Sequence, residues 1–434
     1  MKDKVSVFWF RRDLRLEDNI GLFHALNSGV PILPIFIFDK NILEHFDDKC
    51  DKRVDYIHQV LTLINEDLNN IGSSLTTYYS SPLQVFNDII DKYDLQTVYC
   101  NRDYEPAAIK RDIQVYDFLS NQNISFKGYK DQVIFDRNDI LKSDGKPYTV
   151  YTPYSKIWKA KLNKECYQYY KIDNSKFYKL PPKPIHSLAE LGFEKTDIVF
   201  EIPSLNEKLI SEYDKYRDYP AMKKTTELGI ALRFGTVSVR HCVSVAIDLN
   251  QTWLNELIWR EFFMQILYHF PKVIDSSFKA KYDNIIWRND EREFELWCQG
   301  RTGYPIVDAG MRQLNETGFM HNRVRMVVAS FLCKHLLIDW RWGEAYFAQK
   351  LNDYDLAANN GNWQWAAGSG CDAAPYFRVF NPTIQTQKFD KSFEYIKEWL
   401  PDYGTVDYPQ PIVEHSFARD RALKTYAEAV SNTI

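Results

Sequence analysis

The chain has 434 residues, of which 45% are hydrophobic and 26% charged, and its formal net charge is −4. This length favours two or three domains, and the slightly acidic balance excludes a generally basic protein, so any nucleic-acid site must be a local basic patch. The seven cysteines are scattered and never spaced C-x-x-C, which predicts free thiols and no zinc site or other metal centre. Without a signal peptide or an apolar run of the roughly 18 residues that a membrane helix needs, we expect a soluble, cytoplasmic monomer that does not contact membranes.

The first 130 residues alternate short apolar runs with amphipathic stretches. Buried strands are predicted at 5–10, 32–38, 75–79 and 97–100, and helices at 54–71 and 82–93. This alternation is typical of βαβ units, so residues 1–130 are predicted to form an α/β domain with a doubly wound parallel sheet. No G-x-G-x-x-G motif follows the first strand, which argues against a dinucleotide at the usual position in such a fold.

The remainder of the chain changes character twice. Residues 131–204 are rich in turn signals, such as Asp144-Gly145, and are predicted to form a long interdomain connection with some helix at 154–169. From 205 to 434 helical periodicity recurs at 253–268, 304–317, 322–338 and 343–350. This second half is therefore predicted to be an all-α domain, and it holds most of the 11 tryptophans.

One predicted helix face mixes charge with aromatic rings. Glu256, Trp259, Arg260 and Phe263 are spaced i, i+3, i+4 and i+7, so they share a face. An unpaired carboxylate buried there would be costly. The residues are either an edge ion pair between Glu256 and Arg260 or part of a ligand site.

A second polar cluster opens the apolar helix predicted at 327–337. Asn322, Arg325 and Met326 share a face, and Arg323 points away from it. Arginines at a helix start oppose the helix dipole. They therefore bind an external anion or an acidic neighbour, unless they belong to an ordinary surface charge cluster.

A third segment, 353–370, combines aspartate, asparagine, glycine and tryptophan. Asp353 and Asp355 flank a single residue, but no histidine or further acid completes a metal shell. Their oxygens suit hydrogen bonds from a ring N–H or from sugar hydroxyls. The segment is either a ligand loop or a solvated turn.

Thr225 and Thr226 precede a helix predicted at 228–234. Either is a suitable N-cap, and such a helix start is also an anion site, although capping alone explains the pattern. The sequence contains no serine or cysteine nucleophile motif, P-loop or metal triad. Composition and periodicity thus predict an α/β domain joined to an aromatic-rich helical domain with a polar site.

These segments, with 8–19 (FWFRRDLRLEDN) and 303–312 (GYPIVDAGMR), resemble the photolyase/cryptochrome family over essentially the whole chain. The motifs are most similar to class I cyclobutane-pyrimidine-dimer DNA photolyases, because (6-4) enzymes have a second active-site histidine and this chain has Met326 facing the lesion. The resemblance implies an α/β antenna-type domain, a helical domain with U-shaped FAD, and light-dependent repair of pyrimidine dimers by electron transfer from excited FADH⁻ to a flipped-out lesion. Alternatives are a cryptochrome-type blue-light photoreceptor without repair activity and a redox flavoprotein acting in the dark.

The resemblance also assigns cofactor contacts. FAD-binding roles fall to Tyr213, Thr225, Thr226, Glu227, Leu228, Gly229, Trp253, Arg325, Asp353, Tyr354, Asp355 and Asn359. The threonines would lie near the phosphates, Arg325 would pair with Asp353, and Asp355 would accept from the flavin ring. Family members often have serine in place of Gly229, so one phosphate contact differs here. Asn359 would face flavin N5, where plant cryptochromes have aspartate, and its neutral amide favours the reduced anion as the working state.

A lesion site follows from the same resemblance, with catalytic roles for Glu256, Asn359 and Met326. Glu256 would hydrogen-bond the pyrimidine ring as a desolvated carboxyl with raised pKa. Trp259 and Met326 would pack against the flipped lesion. The other residues expected to bind DNA or the lesion are Arg217, Arg260, Asn322, Arg323, Trp365 and Gln385.

Light capture involves two further expectations. Trp363, Trp340 and Trp287 match the family's electron-transfer relay from flavin to surface, although core packing explains each of them singly. A second, antenna chromophore is also possible. Folate-binding relatives have an asparagine-glutamate pair where this chain has Ala107-Ala108, which argues against folate and leaves a deazaflavin, another flavin or no second chromophore.

Overall fold

The computed structural model describes residues 1–431, and the chain divides into two compact units. The first unit comprises Met1–Asp139, Lys161–Leu205 and Leu228–Asp248, and the second comprises Ile140–Ala160, Asn206–Glu227 and the residues from Leu249 onwards. The chain therefore passes between the units several times. The predicted domains 1–130 and 205–434, by contrast, are continuous segments joined by 131–204.

The first unit contains a parallel sheet in the order β3-β2-β1-β4-β5. Its strands are β1 (Lys4–Phe10), β2 (Ile32–Asp39), β3 (Thr76–Ser80), β4 (Asp94–Asn101) and β5 (Ser125–Tyr129). β1 is the central strand, between β2 and β4. Almost all residues of β1 and β2 are buried, as expected for strands that are covered on both faces. The strand order reverses between β1 and β4, so the predicted doubly wound parallel sheet is confirmed.

The helices of both units are given in chain order. They are α1 (Ile20–Leu26), α2 (Lys40–Leu43), α3 (Lys52–Asn70), α4 (Pro82–Lys92), α5 (Pro106–Ser120), α6 (Tyr151–Lys161), α7 (Glu207–Ser211), α8 (Tyr213–Tyr216), α9 (Gly229–Phe234), α10 (Val239–Leu249), α11 (Gln251–His269), α12 (Glu291–Cys298), α13 (Pro305–Thr317), α14 (Asn322–Ser330), α15 (Trp340–Lys350), α16 (Leu356–Ala367), α17 (Pro382–Phe389), α18 (Glu394–Trp399) and α19 (His415–Ser431). Short 3-10 turns occur at Lys164–Tyr167, Asn174–Lys176, Pro220–Met222, Pro271–Ile274 and Ala280–Asn284. Over residues 1–431 we find no helix with the length and apolar character needed to cross a membrane.

The helix predicted at 322–338 is interrupted. α14 ends at Ser330, and the chain continues directly into a π-helical turn over Phe331–His335. Leu337 then adopts a left-handed φ of 51°, which ends the helical run before α15. Because the apolar periodicity of the sequence continues through this region, it does not reveal the change from α-helix to π-helix.

The helix after Thr225 and Thr226 begins later than predicted. α9 starts at Gly229, its N-cap position is Leu228, and no side chain caps it. Glu227 has a left-handed φ of 50° and precedes this start. The prediction that Thr225 or Thr226 caps the helix is therefore wrong.

Candidate active site

The mixed face on α11 lies in the second unit. Asn250 caps this helix, since its side chain accepts hydrogen bonds from the backbone N–H groups of Thr252 and Trp253. Glu256 and Trp259 follow on the next two turns, and both are half-buried. The helix thus presents a carboxyl and an indole ring that a ligand can reach.

Glu256 forms an ion pair and a short hydrogen bond with the guanidinium of Arg217, whereas spacing within the helix favoured Arg260. Burial raises the pKa of Glu256, and the charge of Arg217 opposes that rise. Arg217 also lies 5.3 Å from the ring centre of Tyr213. The raised pKa has the direction predicted for this carboxyl.

The start of α14 is organised by His321 and two ion pairs. Nδ1 of His321 accepts from the backbone N–H of Arg323 at 3.2 Å, and burial lowers the pKa of His321 to about 4, so the ring is neutral. Arg325 donates two hydrogen bonds to Asp353, at 3.2 and 2.9 Å. Arg323 donates to Asp218 at 2.6 Å. Both arginines thus have acidic neighbours, and the Arg325–Asp353 pair is the one that the resemblance implies.

Asp355 and Asn359 are fixed at the start of α16. Oδ1 of Asp355 accepts from the backbone N–H of Ala358 at 3.2 Å, which caps the helix. Nδ2 of Asn359 donates to the backbone oxygen of Glu344 at 3.1 Å and to its Oε1 at 2.9 Å. Because the two ends of an amide diverge, the oxygen of Asn359 faces away from Glu344.

A pocket of about 90 Å³ is formed by α14, α15, α16 and the loop before α16. It is lined by Asn322, Arg325, Met326, Ala329, Phe347, Leu351, Asp353, Tyr354, Asp355, Ala358, Asn359, Asn362, Trp363, Trp365 and Ala366. Residues predicted from two separate segments, 322–326 and 353–370, therefore meet around one cavity. The segment 353–370 is thereby a pocket wall and not merely a solvated turn.

Other predicted residues lie outside this lining. In the second unit these are Tyr213, Arg217, Thr225, Thr226, Glu227, Trp253, Glu256, Trp259, Arg260, Trp287, Arg323, Trp340 and Gln385, while Leu228 and Gly229 belong to the first unit. The Arg323 guanidinium lies 4.3 Å from the ring centre of Phe389. Gln385 is on the same helix as Phe389, α17, so these two predicted DNA contacts are brought into one neighbourhood.

The chemistry of the lining suits part of a flavin. Asp355 and the Asn359 oxygen are hydrogen-bond acceptors for ring N–H groups, and Arg325 is a donor for ring carbonyls. Met326 and Trp363 add apolar surface. The residues present thus match a flat heterocycle with polar edges and apolar faces.

Of the three tryptophans predicted to form a relay, two are buried and only Trp287 is partly exposed. Trp363 and Trp340 are 2% and 1% exposed, while Trp287 is half-buried and meets the ring of Tyr426 edge-on at 6.0 Å. A Cβ on Gly343, one turn after Trp340, would lie only 2.1 Å from Cη2 of Trp363. The absence of a side chain at Gly343 therefore lets α15 approach the Trp363 indole.

Sequence reasoning missed three side chains at this site. Glu344 holds the Asn359 amide, the ring of Trp297 lies 6.1 Å from that of Trp363, and Tyr151 stacks on Trp259 with ring centres 3.6 Å apart. Helical spacing relates only neighbours along one helix. No such local signal connects Tyr151 with α11.

The first unit has its own, larger cavity of about 660 Å³. It lies at the carboxyl ends of the strands, where Phe10, Phe38 and Asp39 contribute to its wall. The list of polar wall residues includes Arg12, Glu105 and Arg233, and both arginines donate to the Glu105 carboxylate, at 2.7 and 2.6 Å. Ala107 and Ala108 also line the cavity. Ligands of doubly wound sheets bind at this edge.

Comparisons with known proteins agree with this arrangement. Residues 6–171 match the family model described as DNA photolyase, and residues 253–407 match the FAD binding domain of DNA photolyase. A deoxyribodipyrimidine photo-lyase from Synechococcus is 36% identical over 97% of this chain and 96% of its own.

Two solved structures share the whole fold. A bacterial class III photolyase from Agrobacterium tumefaciens superposes with a TM-score of 0.89 and 32% identity, covering 100% of this chain and 99% of its own. An archaeal photolyase from Sulfolobus tokodaii, described with two FAD molecules, gives a TM-score of 0.85 and 34% identity over 98% and 99% of the two chains. The predicted family is confirmed: this chain belongs to the DNA photolyase family and contains its FAD-binding domain.

Proposed function

We propose that this protein repairs cyclobutane pyrimidine dimers in DNA under light, with one FAD bound in the second unit. The observation that carries the proposal is the single pocket at which the Arg325–Asp353 pair, Asn359, Met326 and Trp363 meet. The matched FAD-binding domain and the names of the relatives support it. The proposal names the lesion and does not assign a class of photolyase. The sequence motifs are most similar to those of class I photolyases, whereas the fold also matches the structure of a class III photolyase.

The pocket residues have distinct duties toward the cofactor. FAD, when bound as the reduced anion, supplies on illumination the electron that splits the dimer. Asn359, fixed by Glu344, presents a neutral oxygen that adds no negative charge beside an anionic ring. Arg325 holds a positive charge at the same wall, and Asp353 keeps its guanidinium in place. Because Arg325 is paired with Asp353 and Asp355 also lines the pocket, the feature proposed to favour a reduced, anionic cofactor is the neutral side chain of Asn359.

Glu256 is proposed to stabilise the lesion. A carboxyl with a raised pKa donates a hydrogen bond to the pyrimidine ring, where negative charge develops during splitting. While Arg217 is paired with Glu256, its positive charge opposes the rise in the pKa of that carboxyl. If Arg217 turns to a DNA phosphate, as its proposed role requires, the pKa of Glu256 rises further. DNA binding would then prepare the carboxyl to donate.

DNA binding is proposed to combine flipping with phosphate contacts. A dimer within the stack cannot reach the pocket, and a damaged step is easier to unstack than an intact one. Trp259, Trp365 and Met326 would pack on the flipped bases. The charged and polar groups proposed for the lesion strand are Arg217, Arg260, Asn322, Arg323 and Gln385. In a protein with a net charge of −4, this local group must carry the affinity, which should fall steeply with salt.

The decisive experiment follows an oligonucleotide with one dimer under near-UV or blue light and in darkness. The purified protein should contain flavin and remove the dimer only in light, and equal repair in darkness would refute the proposal. Glu256→Ala should retain FAD and lower the repair yield per photon. A parallel (6-4) substrate tests the lesion class, and flavin photochemistry without repair of either lesion would favour the cryptochrome-type photoreceptor.

The relay is tested separately from repair. Trp363→Phe should slow photoreduction of oxidised FAD and spare repair by enzyme that was reduced beforehand, because the relay only recharges the cofactor. Trp399→Phe, a half-buried tryptophan outside the pocket lining, is the matched control. Normal photoreduction in Trp363→Phe would refute the relay.

The first-unit cavity is proposed to hold a second, flavin-type chromophore. Its volume of about 660 Å³, its place at the strand ends and its arginines suit a nucleotide, and the Sulfolobus tokodaii relative is described with two FAD molecules. Ala108→Trp should fill the cavity and lower the number of chromophores released per chain on denaturation from two to one. A wild-type ratio of one, with an action spectrum that follows FAD alone, would refute it.

A further inference from the structure

Tyr151, the first residue of α6, covers one face of Trp259. The two ring centres are 3.6 Å apart and the ring planes differ by only 4°. Both residues belong to the second unit. The rings of Phe262 and Phe263 also lie 5.6 Å from the indole. A flipped base can therefore stack only on the part of the face opposite Tyr151 that these rings leave free.

Tyr151 contacts α11 through its hydroxyl group as well as through its ring. Its hydroxyl donates to the backbone oxygen of Asn255 at 3.0 Å, which is the carbonyl that precedes Trp259 by one helical turn. The edge of Phe262 meets the Tyr151 ring at 5.9 Å. The ring is therefore held at its face, its edge and its hydroxyl by the turn that carries Trp259.

A further contact fixes the backbone of Tyr151. Its N–H donates to Oδ2 of Asp372 at 2.9 Å, which satisfies one of the first N–H groups of α6. The pKa of the Tyr151 hydroxyl is raised by burial and by Glu256, so it remains a donor at neutral pH. These anchors leave the phenol little freedom to turn away.

We propose that Tyr151 is a positioning residue for lesion recognition, which fixes the Trp259 indole so that its remaining face receives the flipped dimer. The inference rests on the proposed function, in which Trp259 packs on the lesion. A fixed indole needs no ordering when the dimer arrives, so less conformational entropy is lost on binding. The anchored hydroxyl argues against the opposite role, in which Tyr151 is a placeholder that the lesion displaces.

The test is a double-mutant cycle on binding of oligonucleotides with and without a dimer, measured in the dark. Tyr151→Leu should weaken dimer binding about 2- to 12-fold, the range expected for one aromatic pair, and leave binding of undamaged DNA unchanged. In a Trp259→Leu background the same change should cost less than about 2-fold, because the residue acts through the indole. Tyr151→Phe, which keeps the ring, should restore most of the affinity.

Two controls separate positioning from general damage. Tyr403→Leu removes a comparable ring, which stacks on Phe393 at 5.7 Å, and should not change the preference for dimers. Flavin absorbance checks that each variant retains its cofactor. The inference would be overturned if Tyr151→Leu bound the dimer more tightly than wild type. It would also be overturned if Tyr151→Leu lowered dimer affinity equally in the wild-type and Trp259→Leu backgrounds, or lowered the affinity for undamaged DNA as much as the affinity for the dimer. A wild-type protein that shows no preference for dimers would instead refute the proposed function, and with it this role.

Discussion

Gly343 offers a sharp test of how closely α15 approaches Trp363. In Gly343→Ala the added methyl would lie 2.1 Å from Cη2 and 2.4 Å from Cζ3 of the indole, whereas carbon atoms pack at about 3.5–4.0 Å. The ring or the helix must therefore shift by more than about 1 Å. Overpacking of this kind costs about 1–3 kcal/mol, and the better helix propensity of alanine returns about 1 kcal/mol.

The variant should thus lose up to about 2 kcal/mol of unfolding free energy, measured from denaturant midpoints at a constant m value. Photoreduction of oxidised FAD should slow as well, because the moved ring is Trp363. Ala345→Gly, at an exposed position of the same helix, should lose about 1 kcal/mol through propensity alone and keep normal photoreduction. A Gly343→Ala protein as stable as wild type, with normal photoreduction, would refute the reasoning.

Three further changes test the charged groups. Burial lowers the pKa of Lys334 from 10.5 to about 7, so between these pH values the unfolded chain binds a proton that the folded chain does not. The unfolding free energy of the wild type should therefore rise from pH about 7 to about 10. Lys334→Met should remove that rise in denaturant melts. Arg217→Met removes the cation that opposes the raised pKa of Glu256, so infrared spectra near neutral pH should show a larger protonated-carboxyl band, which Glu256→Gln should abolish. Asp353→Asn leaves Arg325 without its ion pair and should lower the flavin content by more than half without unfolding the protein.

The sequence predicts those parts of the fold that depend on local pattern. β1 and β2 are continuous apolar runs, so their burial as strands of a parallel sheet follows from composition. β5, Ser125–Tyr129, was not predicted, because it pairs only with β4 and its residues are half-buried or exposed. An edge strand with lysine and glycine lacks the apolar signal that identifies a central strand.

The same limit applies to the site. Motifs within 322–366 predict most of the pocket wall because α14 and α16 each bring a short polar run to one cavity. Glu344 and Tyr151 were missed because their partners, Asn359 and Trp259, lie on other helices. Such pairs are set by tertiary packing, and helical periodicity carries no information about them.

The interleaved division of the chain has a consequence for its synthesis. The last strand of the sheet ends at Tyr129, yet the final stretch of the first unit ends only at Asp248. At about 5–20 residues per second, a ribosome needs on the order of 10 s to make the intervening segment. During that interval the nascent sheet exposes apolar surface that later residues cover, so chaperones have a defined period in which to bind it. A fragment that stops at residue 139 would keep that surface exposed permanently.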